Sequence, residues 1–279
     1  MNETLGVIHN RRSVRAYADR PIDRETVDAI IQAAMRAPTA GNMMLYSIVE
    51  IDDQALKDKL AVSCDNQPFI ARAPLLLLFV ADYQRWIDFF VASGVPEYCA
   101  RTGQEVRWPG EGDLMLACCD ALIAAQTAVL AAESLGIGSC YVGDIMERYE
   151  YHRDLLGLPQ YVFPVGMVCF GFPTAAATAA AAARPQTSRY GQECVHFCDG
   201  YRRLPESELR AMFAAQDRGR YMGAAENLGQ HVYARKFGAE FSVEMTRSVR
   251  AAVQSWTQRL DGPQAAAGGT DDPSIPQEG

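Results

Sequence analysis

The chain has 279 residues, of which 49% are apolar, and its formal net charge is −8. This length suits one large domain or two small ones and supports a sizeable core. The negative charge argues against broad binding to nucleic acid or anionic membranes, and no stretch approaches about 18 consecutive apolar residues, so we expect no transmembrane helix.

The first residues lack the apolar segment of a signal peptide, so the eight cysteines indicate reduced thiols in a cytoplasmic protein. Cys194, His196 and Cys198 have a spacing that suggests a metal site. However, no second set of ligands accompanies them, and strand-like alternation explains the spacing more simply. We therefore expect no metal.

In chain order, the first informative segment is Arg11-Arg12-Ser13-Val14-Arg15, with three guanidinium groups and one hydroxyl in five residues. One arginine guanidinium can donate hydrogen bonds to two phosphate oxygens at once, and it stays charged at any relevant pH. The segment therefore suggests a bound anion, although such a run alone is more often a solvated basic turn.

The next segments predict helices over residues 23–37 and 54–63 and strands over 45–51 and 74–81. The last of these is a continuous apolar run, which is typical of a strand covered on both faces. Residues 38–42, after the first helix, are small and suit a turn or a close backbone approach to a ligand. Residues 82–108 are rich in aromatic side chains, and we interpret them as an excursion that forms a lid or only packs.

Residues 113–135 form the longest helical pattern and are apolar on all sides, which predicts a helix at the centre of the fold or at a subunit interface. Asp120 is an unexpected carboxylate in this pattern, and it either hydrogen-bonds within the core or reaches a pocket. Gly136 is expected to end the helix. The glycines that follow open a strand rather than a helix, which excludes a Rossmann dinucleotide site.

The second half predicts strands over 137–143 and 162–170, an alanine-rich helix or connector over 175–183, and an extended segment over 192–198. Residues 204–260 are predicted to be helical, and the tail from 261 to be disordered. Helices and strands interleave, so the class is α+β or α/β with a buried central sheet.

Five motifs, in this order, resemble those of the FMN-dependent nitroreductase family. They are IHNRRSVRAY (8–17), APTAGN (37–42), Ala73-Pro74 before a buried strand, LGIGSCYVGD (135–144) and Arg189. The resemblance covers roughly residues 4–200. It implies an α+β fold, with a central antiparallel or mixed sheet flanked by helices, in an intertwined homodimer. Residues 1–200 would form the FMN-binding domain, 201–260 a helical extension like that of a bacterial subgroup, and 261–279 a disordered tail.

The resemblance also implies which residues bind the cofactor FMN. The first arginine cluster would hold the flavin phosphate, ribityl chain and pyrimidine edge, and residues 38–42 would reach the flavin from the other subunit. The backbone N–H of Gly143 would lie near flavin N5. The implied cofactor-binding residues are Arg11, Arg12, Ser13, Arg15, Pro38, Thr39, Ala40, Gly41, Asn42, Asn66, Gln67, Val142, Gly143, Asp144 and Arg189.

The sequence departs from the family where a Gln-Pro-Trp run often follows the asparagine, because Met43-Met44-Leu45-Tyr46 stands there instead. This puts a glutamine contact to substrate in doubt and makes the site more apolar. Thr187 also stands where a basic residue is frequent. The candidate substrate contacts are Met44, Trp86, Phe89, Phe90, Tyr98 and Asp120.

By resemblance, the protein is an FMN-dependent oxidoreductase that uses NADH or NADPH. It would transfer hydride in a ping-pong cycle through flavin N5 to a nitroaromatic, a quinone or a similar electron-poor small molecule. No catalytic side chain is expected, because the flavin carries the chemistry. The alternatives are a reductive dehalogenase or natural-product dehydrogenase of the same fold, or a flavin- or ligand-binding protein without turnover. We expect neither a nucleic-acid nor a membrane partner.

Overall fold

The fold is built on one four-stranded antiparallel sheet with the strand order β1-β2-β4-β3. The computed structural model describes residues 2–214 and 216–258. The strands are β1 (Tyr46–Glu50), β2 (Leu75–Asp82), β3 (Gly138–Val142) and β4 (Val162–Gly171). All four strand predictions and the α+β class are confirmed.

Helices cover both faces of this sheet. Within the described residues they are α1 (Glu3–Asn10), α2 (Arg24–Met35), α3 (Gln54–Ser63), α4 (Pro68–Ala71), α5 (Gln84–Ala92), α6 (Val95–Thr102), α7 (Glu111–Ser134), α8 (Tyr149–Leu156), α9 (Ala175–Ala183), α10 (Glu206–Ala214), α11 (Leu228–Val232) and α12 (Glu240–Thr257). The three predicted helices of the first half are confirmed. The Asp23 carboxylate caps α2 by accepting from Thr26 N, and Gly136, with a φ of 74°, ends α7.

Two expectations for the C-terminal part are wrong. Residues 192–198 are not extended, because no strand adjoins them in the described sheet, and Gln192–Cys194 forms a short 3-10 turn instead. Residues 204–260 are not continuously helical. The helical structure is interrupted between α10 and α11, where Gly219 and Gly223 have φ values near 60°. The predicted disordered tail from residue 261 lies outside the described residues.

Strand β2 contributes side chains to two hydrophobic clusters, one on each face of the sheet. Its side chains alternate, so that Leu75 and Leu77 face a cluster with α2 and α7, while Leu76 and Leu78 face a cluster with α3 and α4. Both faces are buried, as the continuous apolar run predicted. The first cluster also includes Trp256 of α12, which is 1% exposed. A boundary at residue 200 therefore does not separate α12 from the core of the preceding residues.

Helix α7 differs from the expectation that it is buried on every side. One flank packs against α2, β2 and β4. Another exposes large apolar side chains, namely Met115, Leu116, Leu122 and Ile123. By length and mean hydropathy, α7 is also long and apolar enough to span a membrane, which the sequence analysis did not expect. Its packing against the sheet is that of a core helix.

Candidate functional site

The arginine-rich segment runs along the outer edge of the sheet beside β3. Val14 N donates to Ser139 O over 2.9 Å, and Ser13 and Ser139 form an isolated parallel bridge. A Cβ atom on Gly138 would lie 2.4 Å from Cγ2 of Val14, so this position requires glycine. Gly136 and Gly138 therefore serve helix termination and close packing, which agrees with the rejection of a dinucleotide fingerprint.

The arginines of this segment have no carboxylate partner, unlike several other arginines of the described chain. Carboxylates within 4.0 Å pair with Arg24, Arg85, Arg107, Arg153, Arg202, Arg210 and Arg247. Within residues 2–214 and 216–258, no carboxylate pairs in this way with Arg11, Arg12, Arg15 or Arg189. Each guanidinium has five N–H donors. Because three of these guanidinium groups lie within five residues, the cluster fits an anion such as the phosphate of FMN.

The late arginine-bearing segment lies against the early one. The Arg12 side chain donates to Arg184 O over 3.0 Å, and the Gln186 side chain donates to His9 O. Arg189 itself donates to carbonyls of its own segment, those of Thr187 and Ser188. The two segments, which the sequence alone did not connect, are thus neighbours in the fold.

The turn that follows β3 gathers further predicted residues. Gln67 Nε2 donates to Asp144 Oδ2 over 2.7 Å. The Arg15 guanidinium lies 5.7 Å from the ring centroid of Phe69, two residues beyond Gln67. Burial raises the pKa of the Cys140 thiol, while Arg15 lowers it and Asp144 raises it. Gln67 and Asp144 are therefore bonded beside Gly143, and Arg15 lies in the same region, near β3 and Phe69. Asn66 is exposed, with a φ of 50°.

The buried side chain of His152 binds the turn that follows β3. His152 Nδ1 lies 2.9 Å from Ile145 O and 2.7 Å from Glu147 O, and Nε2 lies 2.8 Å from Ser63 Oγ. Carbonyl oxygens only accept, so Nδ1 donates and Nε2 accepts from the Ser63 hydroxyl. Burial lowers the pKa of His152. No motif in the sequence indicated a role for this residue, which binds the carbonyls of Ile145 and Glu147 in the turn after Gly143.

Glu147 lies in the same turn and is an unusual carboxyl group. Burial raises its pKa to about 7, and the negative charges of Asp144, Asp65 and Glu244 add to this effect. Its Oε1 atom is buried and has no hydrogen-bond partner within the described residues. No local pattern in the sequence indicated this group.

Residues 38–42 and the candidate substrate residues lie at a different place. Asp120 is buried and accepts hydrogen bonds from this loop, so it takes the first of its two predicted alternatives, a role within the core. Trp86 Nε1 donates to Met43 O over 2.8 Å. The Trp86 ring packs against Phe90 and Phe89, with centroids 5.6 and 6.0 Å away. Phe89 and Tyr98 are exposed, and Met44 is half-buried.

The 38–42 loop and the arginine cluster lie far apart along helix α7. The loop is fixed at Asp120, whereas Arg11 lies near Glu133, whose pKa burial raises and Arg11 lowers. These positions are thirteen residues apart on one helix, or about 20 Å at 1.5 Å per residue. Within one subunit, therefore, the structure does not bring the loop to the arginines.

A cavity of about 370 Å³ lies near the start of α7, lined by residues 105–111 and Thr257. None of the predicted cofactor or substrate residues lines it. The groups gathered around β3 and the 38–42 loop, rather than this cavity, carry the chemistry suited to a ligand.

Comparisons with known proteins show which family the chain is similar to. A sequence profile described as the Nitroreductase family matches residues 8–172. Over 260 residues the chain is 31% identical to a Bacillus subtilis protein named FMN reductase (NAD(P)H), and the match covers 93% of each of the two chains. The solved structure of B. megaterium NfrA2 has a TM-score of 0.71 at 28% identity, and covers 94% of this chain and 100% of that one. That of the hypothetical oxidoreductase YcnD from Bacillus subtilis has a TM-score of 0.71 at 27% identity, over 90% and 98%.

Proposed function

The chain belongs to the nitroreductase family and is an FMN-dependent oxidoreductase that uses NADH or NADPH; we propose that it reduces a nitroaromatic, a quinone or a similar electron-poor small molecule. When bound, the isoalloxazine ring supplies the redox chemistry by accepting and passing on a hydride. The protein supplies orientation and electrostatics.

The clustering of arginines without carboxylate partners carries the FMN-binding part of this proposal. Arg11, Arg12 and Arg15 belong to one segment, and the segment that leads to Arg189 lies against it. A phosphate held by such groups gains charge-assisted hydrogen bonds, which are roughly twice as strong as neutral ones. Arg15, in the same region as Gly143 and Asp144, is suited to the pyrimidine edge of the ring, where positive charge stabilises negative charge that builds up on reduction.

We propose that the site is completed by a second copy of the chain. The exposed apolar flank of α7 lies at the end of the helix that holds the 38–42 loop, and the arginines lie toward the other end. A two-fold axis that crosses α7 between the loop and the arginines would bring the loop of each subunit to the arginines of its partner. Burial of Met115, Leu116, Leu122 and Ile123, which are 40–67% exposed, would favour the dimer by removing apolar surface from water.

The aromatic cluster of α5 supports a flat, electron-poor acceptor. Trp86, Phe89 and Phe90 pack together beside the Met43 carbonyl, which Trp86 binds. Met43 and Met44 add polarizable thioethers rather than the polar side chain that often stands there. Together these groups offer stacking and dispersion contacts to an apolar ring. The thiol-rich composition, without a described disulfide, supports a cytoplasmic location.

Purified protein tests the proposal directly. We expect a yellow preparation with a flavin absorption band that bleaches anaerobically on addition of NADH or NADPH. Reoxidation by a nitroaromatic or a quinone, followed by absorbance, would support the acceptor class. A flavin that resists both nicotinamides would instead indicate a binding protein. A flavin that is reduced but is reoxidised by neither acceptor class would contradict the proposed substrates.

A further inference from the structure

We infer that Asp120 is a positioning residue that closes the 39–45 loop and sets the part of it that is presented to the flavin of the partner subunit. This inference rests on the proposed function. It assigns to a buried carboxylate of α7 a role in a site that its own side chain does not enter.

The carboxylate binds both ends of the loop. At the first end, Asp120 accepts from the Thr39 hydroxyl and from Ala40 N, the latter over 3.2 Å. At the second end it accepts from Leu45 N over 3.2 Å. An ionised carboxylate only accepts, and has about four lone-pair sites. A single group therefore joins the residues on either side of the loop tip.

A relay through Thr39 adds a further contact. Met44 N donates to Thr39 Oγ1 over 2.8 Å, so the hydroxyl proton of Thr39 points to Asp120. The bond between Thr39 and Asp120 is charge-assisted. Since Met44 and Thr39 flank residues 40–43, this relay fixes the width of the loop as well as its attachment to α7.

The backbone of the loop requires such support. Gly41, Asn42 and Met44 all have φ values between 50° and 57°, in the left-handed region. For residues other than glycine, this region is sparsely populated and persists only where surrounding structure determines it. The strained residues lie between the two ends that Asp120 binds, so the carboxylate holds the tip in the conformation that exposes Gly41 and Asn42.

The loop carbonyls are bound from the other side by α5. Arg85 donates to Met44 O over 2.8 Å and to Tyr46 O over 2.9 Å, and Trp86 donates to Met43 O. Donors of the loop thus point to Asp120 and acceptors point to α5. The carboxylate and the two α5 side chains hold opposite polar groups of the same backbone segment.

The position of Asp120 on α7 links the loop to the subunit contact. Asp120 is 3% exposed, whereas its neighbour Cys119 and the nearby Leu122 are exposed on the flank proposed as the dimer contact. Asp120 attaches the loop to the inner side of the helix whose outer flank meets the partner. A dimer formed through α7 therefore fixes where the loop of each subunit lies relative to its partner.

The test uses Asp120→Asn, which keeps the shape but removes the charge and one acceptor. Asp113→Asn is the matched control, because Asp113 is a buried carboxylate on the same helix that instead binds Gly110 N and Arg107. For Asp120→Asn we expect FMN to bind at least about tenfold more weakly, or about 1.4 kcal/mol, with a shifted flavin absorption band. Asp113→Asn should lower the melting temperature without either change. If Asp120→Asn does not fold, Thr39→Val removes the same relay.

A mixed dimer tests the action on the partner's site. Two differently tagged chains, one with Asp120→Asn and one with Arg15→Ala, are co-expressed and isolated by both tags. If the loop acts on the partner's flavin, one site carries both changes and the other carries neither, so one FMN per dimer should bind as in the wild type. If it acts within its own subunit, both sites are damaged and no tight FMN remains, which would overturn the assignment.

Two further results would also overturn it. They are unchanged FMN affinity and absorption in Asp120→Asn, or an equal loss of FMN in Asp113→Asn. Failure of the proposed function is distinguishable, because it would appear in the wild type as an absence of bound FMN or as a monomer.

Discussion

Gln67 and Asp144 are joined by a hydrogen bond of 2.7 Å between the Gln67 amide and the Asp144 carboxylate, across 77 positions of sequence. The second amide hydrogen of Gln67 goes to Cys64 O over 2.9 Å. Asp65 and Asn66, which lie between Cys64 and Gln67, have φ values of 61° and 50°. The bond therefore holds a strained turn against the end of β3, where Gly143 lies.

Replacement of Gln67 by alanine should weaken FMN retention and lower stability by about 1.5–3 kcal/mol, the range for a hydrogen bond to a charged group. Gln54→Ala is the matched control, since Gln54 also donates to one carboxylate and one carbonyl, those of Asp58 and Ala71, but at the exposed start of α3. Flavin content after gel filtration and chemical denaturation measure the two effects. Equal flavin loss in both variants would contradict a role for Gln67 at the site.

The raised pKa of Glu147 predicts an unusual dependence of stability on pH. Because burial raises this pKa from 4.5 to about 7, the neutral form is favoured in the fold, and its contribution is lost as pH rises from 4.5 through 7. Glu147→Gln should therefore raise the melting temperature relative to wild type above pH 7, with a gain that shrinks toward pH 4.5. Thermal melts across this range measure the difference.

Glu150 provides a control of opposite sign. Its hydrogen bond with Arg247 lowers its pKa to about 2, so its contribution is present above pH 4.5 and is lost as pH falls through 2. Glu150→Gln should therefore be neutral or slightly destabilising at pH 7–8 and never stabilising, because the pair is exposed. A pH-independent effect of Glu147→Gln would contradict the assigned titration.

Local patterns predicted much of the fold but not the contacts beneath the site. The apolar period and the Asp23 cap predicted α2, and the continuous apolar run predicted β2. Helix α8 was missed because most of its residues are polar, and only Tyr149 and His152 are buried. The bond between His152 and Ser63 spans 89 positions, and no periodicity encodes such a pair.

In the candidate site too, local sequence patterns predicted some features but not the long-range contacts. Motif order predicted the arginine cluster and the Gly143 turn, and Asp120 was recognisable as a carboxylate on an apolar helix. Its partner Thr39 is 81 positions away, so only the tertiary structure identifies what it binds. The extended segment expected over 192–198 had suitable alternation, but alternation forms a strand only where a neighbouring strand accepts its backbone groups.

The arginine assignment predicts that Arg11→Ala and Arg189→Ala each reduce FMN retention, since a bound phosphate would lose a partner worth about 1.5–3 kcal/mol. Arg210→Ala is the control, because Arg210 forms an exposed ion pair with Glu206 on α10. Fluorescence titration of the apoprotein with FMN measures the affinities. If both site variants bind FMN as tightly as Arg210→Ala, the phosphate site is assigned wrongly.

Helix α12 should behave as part of the core rather than as a detachable lid. The Trp256 ring packs edge-on against Tyr83 and Tyr161, with centroids 6.4 and 5.6 Å away. Trp256→Ala should cost about 3–5 kcal/mol of unfolding free energy. Trp256→Phe should cost less, because the buried Nε1 has no partner within the described residues and no hydrogen bond is lost. Urea unfolding measures both, and a wild-type stability for Trp256→Ala would indicate a lid.

The exposed flank of α7 gives the prediction on which the completed site depends. Leu122 is 45% exposed on this flank, near the middle of α7, and a charge there would be desolvated in the dimer. Leu122→Glu should therefore yield a monomer at micromolar concentration, by light scattering, that has lost tight FMN because each site lacks the partner's loop. Val62→Glu, at a position 63% exposed on α3, should stay dimeric and flavinated. A fully flavinated Leu122→Glu monomer would show that one subunit builds the whole site.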